Sequence, residues 1–477
     1  MKDINVNNGD TQAVRYDLIV IGSGPAGQKA AVQASKIGKR VALIERDRYL
    51  GGSCVHRGTI PSKTLRENAL RITHMRANAK LSDFSLTDNL EMSVLIDRLD
   101  EVLKAHDSYM EKQILRNNIV RLHGRAAFVD KHHVELSTPR GEPIILRAKK
   151  FVIATGSYPR TPDHISIDHE HIYDSDSILS MLYLPKSLVV IGGGVIASEY
   201  ASIFQALDVD VTMIDKHPQP LGFLDSDLTD KFVHAFESMG GTWVGNSTVE
   251  KVYWDGKQVV TECEGGIVIY SEKLLCAAGR IGNTKDLALS NAGLSLNDQQ
   301  LVSVDENLQT SVDNIYAAGD VIGPPALAST AMEQGRRVSC NAFGVNTGKM
   351  SQMIPTGIYA IPELSSVGLS EGQARKKYGD VIIGKAIFEE IARGQISGTQ
   401  DGMLKIVCDP KGEKVLGVMI VGEGATELVH IGQMALLAGA DVDIFVESIF
   451  NFPTLAEAYR VAALDIIGQR VKHQESF

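Results

Sequence analysis

One pattern occurs twice in this chain, and it constrains the fold more than any other feature of the 477 residues. Tyr16-Asp17-Leu18-Ile19-Val20-Ile21 is a short apolar run rich in β-branched side chains, the pattern of a strand buried on both faces. It leads straight into Gly22-Ser23-Gly24-Pro25-Ala26-Gly27, then a helix-like stretch over residues 28–37, then a second strand over 40–44 that ends on Glu45. Strand, glycines, helix, strand and acid stand in the order a dinucleotide fold requires. Glycine lets the backbone approach a pyrophosphate, the helix N-terminus offers free N–H groups, and Glu45 can accept hydrogen bonds from ribose hydroxyls.

The same order recurs downstream. Ser187-Leu188-Val189-Val190-Ile191 leads into Gly192-Gly193-Gly194-Val195-Ile196-Ala197, a helical stretch runs to Leu207, and a strand over 209–214 ends on Asp215. From first glycine to terminal acid the separation is 23 residues in both copies, Gly22 to Glu45 and Gly192 to Asp215. Two dinucleotide sites in one chain point to electron transfer between two bound dinucleotides. Ala197 replaces the third glycine at little cost, because that position only permits close packing of helix on strand. Asp215 favours an unphosphorylated ribose, while Lys216 and His217 can offset its charge, so the choice between NAD and NADP stays open.

Length predicts two or three domains. A net charge of −10 and a pI near 5.7 argue against nucleic acid or an anionic membrane as partner and leave small molecules. No run approaches the ~18 uncharged apolar residues of a membrane helix, and the polar start lacks the apolar core of a signal peptide, so a cytoplasmic protein is expected. The five cysteines, at 54, 263, 276, 340 and 408, show neither C-x-x-C nor zinc spacing. No metal is expected, and the last four read as small buried hydrophobes.

Further segments sit between and beyond the two copies: Gly51-Gly52-Ser53-Cys54-Val55-His56-Arg57-Gly58-Thr59-Ile60-Pro61-Ser62-Lys63, Thr155-Gly156-Ser157-Tyr158-Pro159, Gly279-Arg280-Ile281-Gly282-Asn283-Thr284 and Ala317-Ala318-Gly319-Asp320. With these in this order, nearly the whole chain resembles the pyridine nucleotide-disulfide oxidoreductases. C-x-H-x-G-T-I-P-S-K, together with the runs 172–181, 354–359 and 450–464, most resembles that family's soluble, FAD-containing transhydrogenase branch. The resemblance implies an α/β chain with two Rossmann-like dinucleotide-binding domains plus a C-terminal α+β dimerisation domain. The FAD domain would take residues 1–156 and 285–349, an NAD(P) domain 157–284, and an interface domain 350–477 that makes a homodimer. FAD is the implied cofactor, with NAD and NADP as substrates. Gly22, Gly24, Gly27, Glu45, Gly52, Cys54, Thr59, Lys63, Thr155, Gly156, Gly319 and Asp320 would line the FAD. Gly192, Gly194 and Asp215 would belong to nicotinamide nucleotide binding, Gly279 and Arg280 to cofactor binding, and a strand over 316–321 would deliver Asp320 to the ribityl and phosphate region.

Where the electrons go follows from two departures. In the disulfide reductases of the family the motif reads C-x-x-x-x-C, and the second cysteine, nearest the flavin, accepts electrons. Here that position is Thr59, whose hydroxyl cannot cycle between dithiol and disulfide. Those reductases also carry a His-Pro near the C-terminus, oriented by a glutamate. Here the matching residues are Phe452-Pro453 and Glu457, and phenylalanine cannot move a proton. The nicotinamide side is intact: the resemblance pairs Lys63 with Glu199 between flavin and nicotinamide, where a fixed cation stabilises the charge a hydride delivers. The expected activity is ping-pong hydride transfer between NADPH and NAD through FAD. Alternatives are an NAD(P)H diaphorase or quinone reductase, an enzyme like dihydrolipoyl dehydrogenase, and a non-catalytic flavin-bound redox sensor with Cys54 as its thiol.

Overall fold

A computed structural model describes residues 14–77, 92–139 and 141–475. The polar opening stretch lies outside them. By the grouping of their contacts the residues form two compact units.

The first unit takes residues up to 60, 100–158 and 280–350. Its sheet is built on Val14–Ile21, which pairs in parallel with Val41–Glu45 on one side and Ile144–Ile153 on the other. Val120–His123 extends one edge, and Ile315–Ala317 pairs with Ile144–Ile153. The apolar runs become central strands for the expected reason: Leu18, Ile19, Val20, Leu43 and Ile44 are all almost fully buried. Each contributes roughly 1.5–3 kcal/mol on leaving water. The helix Pro25–Lys36 lies close against Ala328–Ala342 because the facing residues are small. A Cβ on Gly335 would stand 2.0 Å from the Ala26 carbonyl oxygen, and Ser339 Oγ donates to the Ala30 carbonyl at 2.7 Å.

The strand expected over 316–321 is shorter. Ile315–Ala317 is the strand, Gly319 leaves the sheet with φ +82°, and Asp320 opens a turn of 3-10 helix. Gly319, at a φ that favours glycine, joins the strand to the turn that begins with Asp320.

The second unit takes 61–99, 159–279 and 351–477. It holds a five-stranded parallel sheet ordered Thr242–Val244, Asp210–Ile214, Ser187–Ile191, Lys273–Cys276 and Ile172–Asp174. A three-stranded antiparallel sheet, Val249–Trp254, Val259–Cys263 and Ile267–Ser271, lies in the chain between the parallel sheet's strands Thr242–Val244 and Lys273–Cys276. The C-terminal part is a five-stranded antiparallel sheet, Thr356–Ile358, Leu364–Gly368, Val415–Val421, Met403–Cys408 and Ile382–Ile387, with the long helix Glu457–Glu475 on it. The fold is thus α/β, with two Rossmann-like sheets and a C-terminal α+β part. The unit also buries a lysine. Lys405 is 1% exposed, and its ammonium meets Asp225 at 3.0 Å, Asp227 at 3.0 Å and Glu371 at 2.7 Å. Burial alone would lower the Lys405 pKa, but these three carboxylates hold it above its ordinary value.

Candidate functional site

In the first unit, Gly22 and Gly27 fit each other. Gly22 has φ +100°, and a Cβ on Gly27 would stand 1.8 Å from the Gly22 carbonyl oxygen. Gly24, the residue before the helix, has open space where a Cβ would project, as a backbone needs for contact with a phosphate. Glu45 is buried, and its carboxylate accepts from Ser23 N–H at 2.9 Å, from Ser23 Oγ at 2.6 Å and from Asp47 N–H at 2.9 Å. A carboxylate has about four acceptor positions, so capacity remains for a ribose hydroxyl.

The second copy repeats the backbone hydrogen bonds of this arrangement, without a counterpart to the Ser23 hydroxyl. Gly192 has φ +121°, and its N–H donates to the Ile214 carbonyl at 2.8 Å, as Gly22 N–H donates to Ile44. Asp215 accepts from Gly193 N–H at 2.7 Å and His217 N–H at 2.8 Å, the counterparts of Ser23 and Asp47. Gly194 again has open space before the helix Val195–Ala206. Lys216 and His217 are exposed beside it.

The remaining first-unit residues converge through a serine the motifs did not single out. Arg280 Nε donates to Ser157 Oγ at 2.8 Å and its Nη2 to the Ser157 carbonyl at 2.8 Å. Ser157 Oγ in turn donates to Asp320 Oδ2 at 2.8 Å, so Arg280 orients Asp320 through Ser157. Gly319 N–H donates to the buried Gln334 amide oxygen at 2.8 Å. Asn283 ties down the Thr155-Gly156 turn through the carbonyls of both residues. The Thr155 and Thr330 hydroxyls are buried without a hydrogen-bond partner among the described residues. Such orphaned hydroxyls, with the open cradle at Gly24, fit a bound dinucleotide as the missing partner. The residues present therefore fit FAD.

The cysteine-bearing stretch folds as two helices, Gly52–His56 and Thr59–Ala77. Ser23 anchors its start, accepting from Gly51 N–H, and a Cβ on Gly52 would stand 3.1 Å from Gly24 Cα. The glycine pair thus allows this stretch to lie on the Gly22–Gly27 turn. Cys54 is half-buried on the first helix, and Thr59 opens the second. None of the five cysteines is joined in a disulfide, and the other four are buried as expected. Burial pushes the Cys263 and Cys276 thiols up and the Cys408 thiol to about 12, so they stay protonated at neutral pH. Phe452 is exposed, and Glu457 opens the last helix and accepts from Thr454 N–H at 3.4 Å.

In the second unit, Lys63 and Glu199, 136 residues apart, meet as expected, Nζ to Oε2 at 2.6 Å. The Glu199 side chain is 6% exposed and that of Lys63 25%. Glu199 Oε1 accepts from Tyr359 N–H at 2.9 Å, and Lys63 Nζ lies 4.9 Å from the centre of the Tyr359 ring. One turn further along, Arg66 donates to the Ala360 carbonyl at 3.0 Å and pairs with Glu363 at 2.9 Å, while Ser202 Oγ accepts from Ile361 N–H at 2.9 Å. Sequence reasoning missed Tyr359, Arg66, Ser202 and Glu363. The only available signal was the i, i+3 spacing of Arg66 from Lys63 and of Ser202 from Glu199. Gly279 has φ +105° and open space at its Cβ position.

A paired-glycine fold with a half-buried lysine–glutamate pair defines a nucleotide-dependent oxidoreductase, and sequence comparison places it. Residues 16–335 match the pyridine nucleotide-disulphide oxidoreductase family and 354–463 its dimerisation domain, and the chain belongs to that family. It is similar to a soluble pyridine nucleotide transhydrogenase of Mycobacterium tuberculosis, 41% identical with 95% of this chain and 97% of the relative covered. A protein of the same name from Pseudomonas aeruginosa is 40% identical, covering 94% and 98%. Among solved structures, the HOCl-induced flavoprotein disulfide reductase RclA of Escherichia coli matches with TM-score 0.85 at 28% identity, over 94% of this chain and 99% of that one. LpdA of Mycobacterium tuberculosis shares the fold, with TM-score 0.88 at 24% identity over 95% and 99%. Among the described residues no helix is long and apolar enough to cross a membrane.

Proposed function

We propose that the protein is an NAD(P) transhydrogenase that moves a hydride from NADPH to NAD in a ping-pong cycle at one nicotinamide site. The observation that carries this is the assembled Lys63–Glu199 pair in a chain with Thr59 and Phe452 where disulfide chemistry needs a cysteine and a histidine. Relatives at 40–41% identity carry the transhydrogenase name, which supports the same reading. FAD, when bound, supplies the carrier that takes a hydride from one nicotinamide and returns it to the next.

The chain's own residues do the rest. Gly22, Gly24 and Gly27, with Glu45, Gly52, Thr155, Gly156, Gly319 and Asp320, hold the FAD, and Arg280 steadies Asp320 through Ser157. Gly192, Gly194 and Asp215 hold the nicotinamide nucleotide, with Gly279 leaving room beside it. Lys63 places a fixed cation where hydride brings negative charge, and Glu199 fixes that cation. Thr59 lines the flavin without offering a sulfur. The assignment of 1–156 and 285–349 to FAD, 157–284 to NAD(P) and 350–477 to a homodimer interface belongs to this reading, as does a cytoplasmic location.

Initial rates test the scheme. With NADPH and a chromogenic NAD analogue varied together, reciprocal plots give parallel lines for a single shared site. Intersecting lines would require both nucleotides bound at once and would overturn it.

A further inference from the structure

The geometry points to Tyr359 as a positioning residue for hydride transfer, its ring face holding the Lys63 ammonium while its N–H holds the Glu199 carboxylate. The inference rests on the role given to Lys63 above and adds what keeps that ammonium in place. Lys63 Nζ lies 4.9 Å from the ring centre, within the range where a cation is attracted by the negative face of an aromatic ring. Glu199 uses one oxygen for Lys63 at 2.6 Å and the other for Tyr359 N–H at 2.9 Å. The single residue Tyr359 thus touches both members of the pair.

Tyr359 is itself held in place. It sits in a strap, residues 359–361, fastened by two helices that use the same spacing. On Thr59–Ala77, Lys63 meets the Tyr359 ring, and Arg66, three residues on, donates to the Ala360 carbonyl at 3.0 Å. On Val195–Ala206, Glu199 takes Tyr359 N–H, and Ser202, three residues on, takes Ile361 N–H at 2.9 Å. Residues at i and i+3 share a helix face, so each helix offers one side chain to the ion pair and one to the strap. Arg66 is locked in turn by Glu363 at 2.9 Å, whose other oxygen accepts from Thr426 N–H and Oγ. Held only by Glu199 at 2.6 Å and a longer bond to Ser62 Oγ at 3.3 Å among the described residues, a lysine on four rotatable bonds would sample positions away from the hydride path. The ring removes that freedom.

The test compares Tyr359→Phe, which keeps the ring, with Tyr359→Leu, which loses it but keeps the N–H, and with Lys63→Met as the reference. A phenylalanine series of rising fluorination at position 359 serves as the shape-preserving arm, since it drains the ring face of negative potential without opening a cavity. Rapid-mixing reduction by NADPH should slow about five- to thirty-fold in Tyr359→Leu and fall stepwise with fluorination, with KM unchanged, while Tyr359→Phe stays within two-fold of the parent. In the holoprotein, an amine-reactive reagent should label Lys63 several-fold faster in Tyr359→Leu than in the parent or Tyr359→Phe, read by peptide mass spectrometry. Fluorinated and leucine variants that match Tyr359→Phe in both readouts would overturn the inference. A Lys63→Met protein that is reduced at the parent rate would instead remove the role of Lys63 on which it rests.

Discussion

Replacing Lys63 by Met separates the two contributions of its ion pair. The pair is short, at 2.6 Å, and asymmetric: the carboxylate side chain is 6% exposed and the lysine 25%. Stranding a carboxylate in a fully buried pair costs about 3–5 kcal/mol, and water reaching the partly exposed Lys63 position reduces this to about 1–3 kcal/mol. The kinetic loss follows different physics, because a fixed donor aimed at developing charge is worth about 10²–10³ in rate. Rapid mixing of Lys63→Met with NADPH should therefore show flavin reduction slower by that factor, with a lower Tm. The double variant Lys63→Met/Glu199→Gln removes the stranded charge while keeping an amide oxygen for Tyr359 N–H. It should recover about 1–2 kcal/mol of the lost stability and none of the rate. A double variant that recovered the rate would show that the stranded carboxylate, and not the missing cation, had slowed reduction, and the reasoning would fail.

Other expectations follow from the same geometry. Gly27→Ala drives a methyl group to 1.8 Å from the Gly22 carbonyl and should leave little folded holoprotein, whereas Gly24→Ala, with open space, should fold but retain FAD poorly on dialysis. Gly194→Ala should keep its FAD and show a raised KM for the nicotinamide nucleotide. Ser157→Ala removes the hydrogen bonds of the Ser157 hydroxyl to Asp320 and Arg280 and should weaken FAD retention about ten-fold, read by equilibrium dialysis, from the loss of charge-assisted hydrogen bonds. The buried Lys405 cluster sets a pH limit. Desolvation raises the Asp227 and Glu371 carboxyls, but hydrogen bonds from Lys405, with Lys385 and Arg375, outweigh it and hold both below the usual carboxylate range. Depressed carboxyls give stability that is present above their unfolded pKa and lost as pH falls through the folded values. Urea unfolding midpoints should therefore drop below about pH 4 in the parent and less steeply in Lys405→Met, which starts about 3–5 kcal/mol lower.

Local pattern made the two nucleotide units legible, because strand, glycine turn, helix and acid are contiguous and the physics of each is local. Even the acid's position at the second strand's end could be read from spacing. Its engagement could not: Glu45 and Asp215 each accept backbone N–H bonds from the opposite turn, which depends on how closely two strand ends approach. Lys63 and Glu199 lie 136 residues apart, and only family resemblance joined them in the sequence. The strap 359–361 and the Arg66–Glu363 pair could not be read ahead, since contacts such as that of Arg66 with the Ala360 carbonyl, 294 residues apart in the chain, follow from packing alone. Ser157 stood inside a quoted motif, yet its link to Asp320 required knowing that Gly319 turns the chain out of the sheet.

The central claim is that electrons entering from one nicotinamide leave to another. The direct measurement gives purified holoprotein NADPH together with a chromogenic NAD analogue, and in parallel with lipoamide, glutathione disulfide or a quinone. Rapid reduction of the analogue, with little turnover of either disulfide, is the predicted result. Turnover of a disulfide without reduction of the analogue would contradict it.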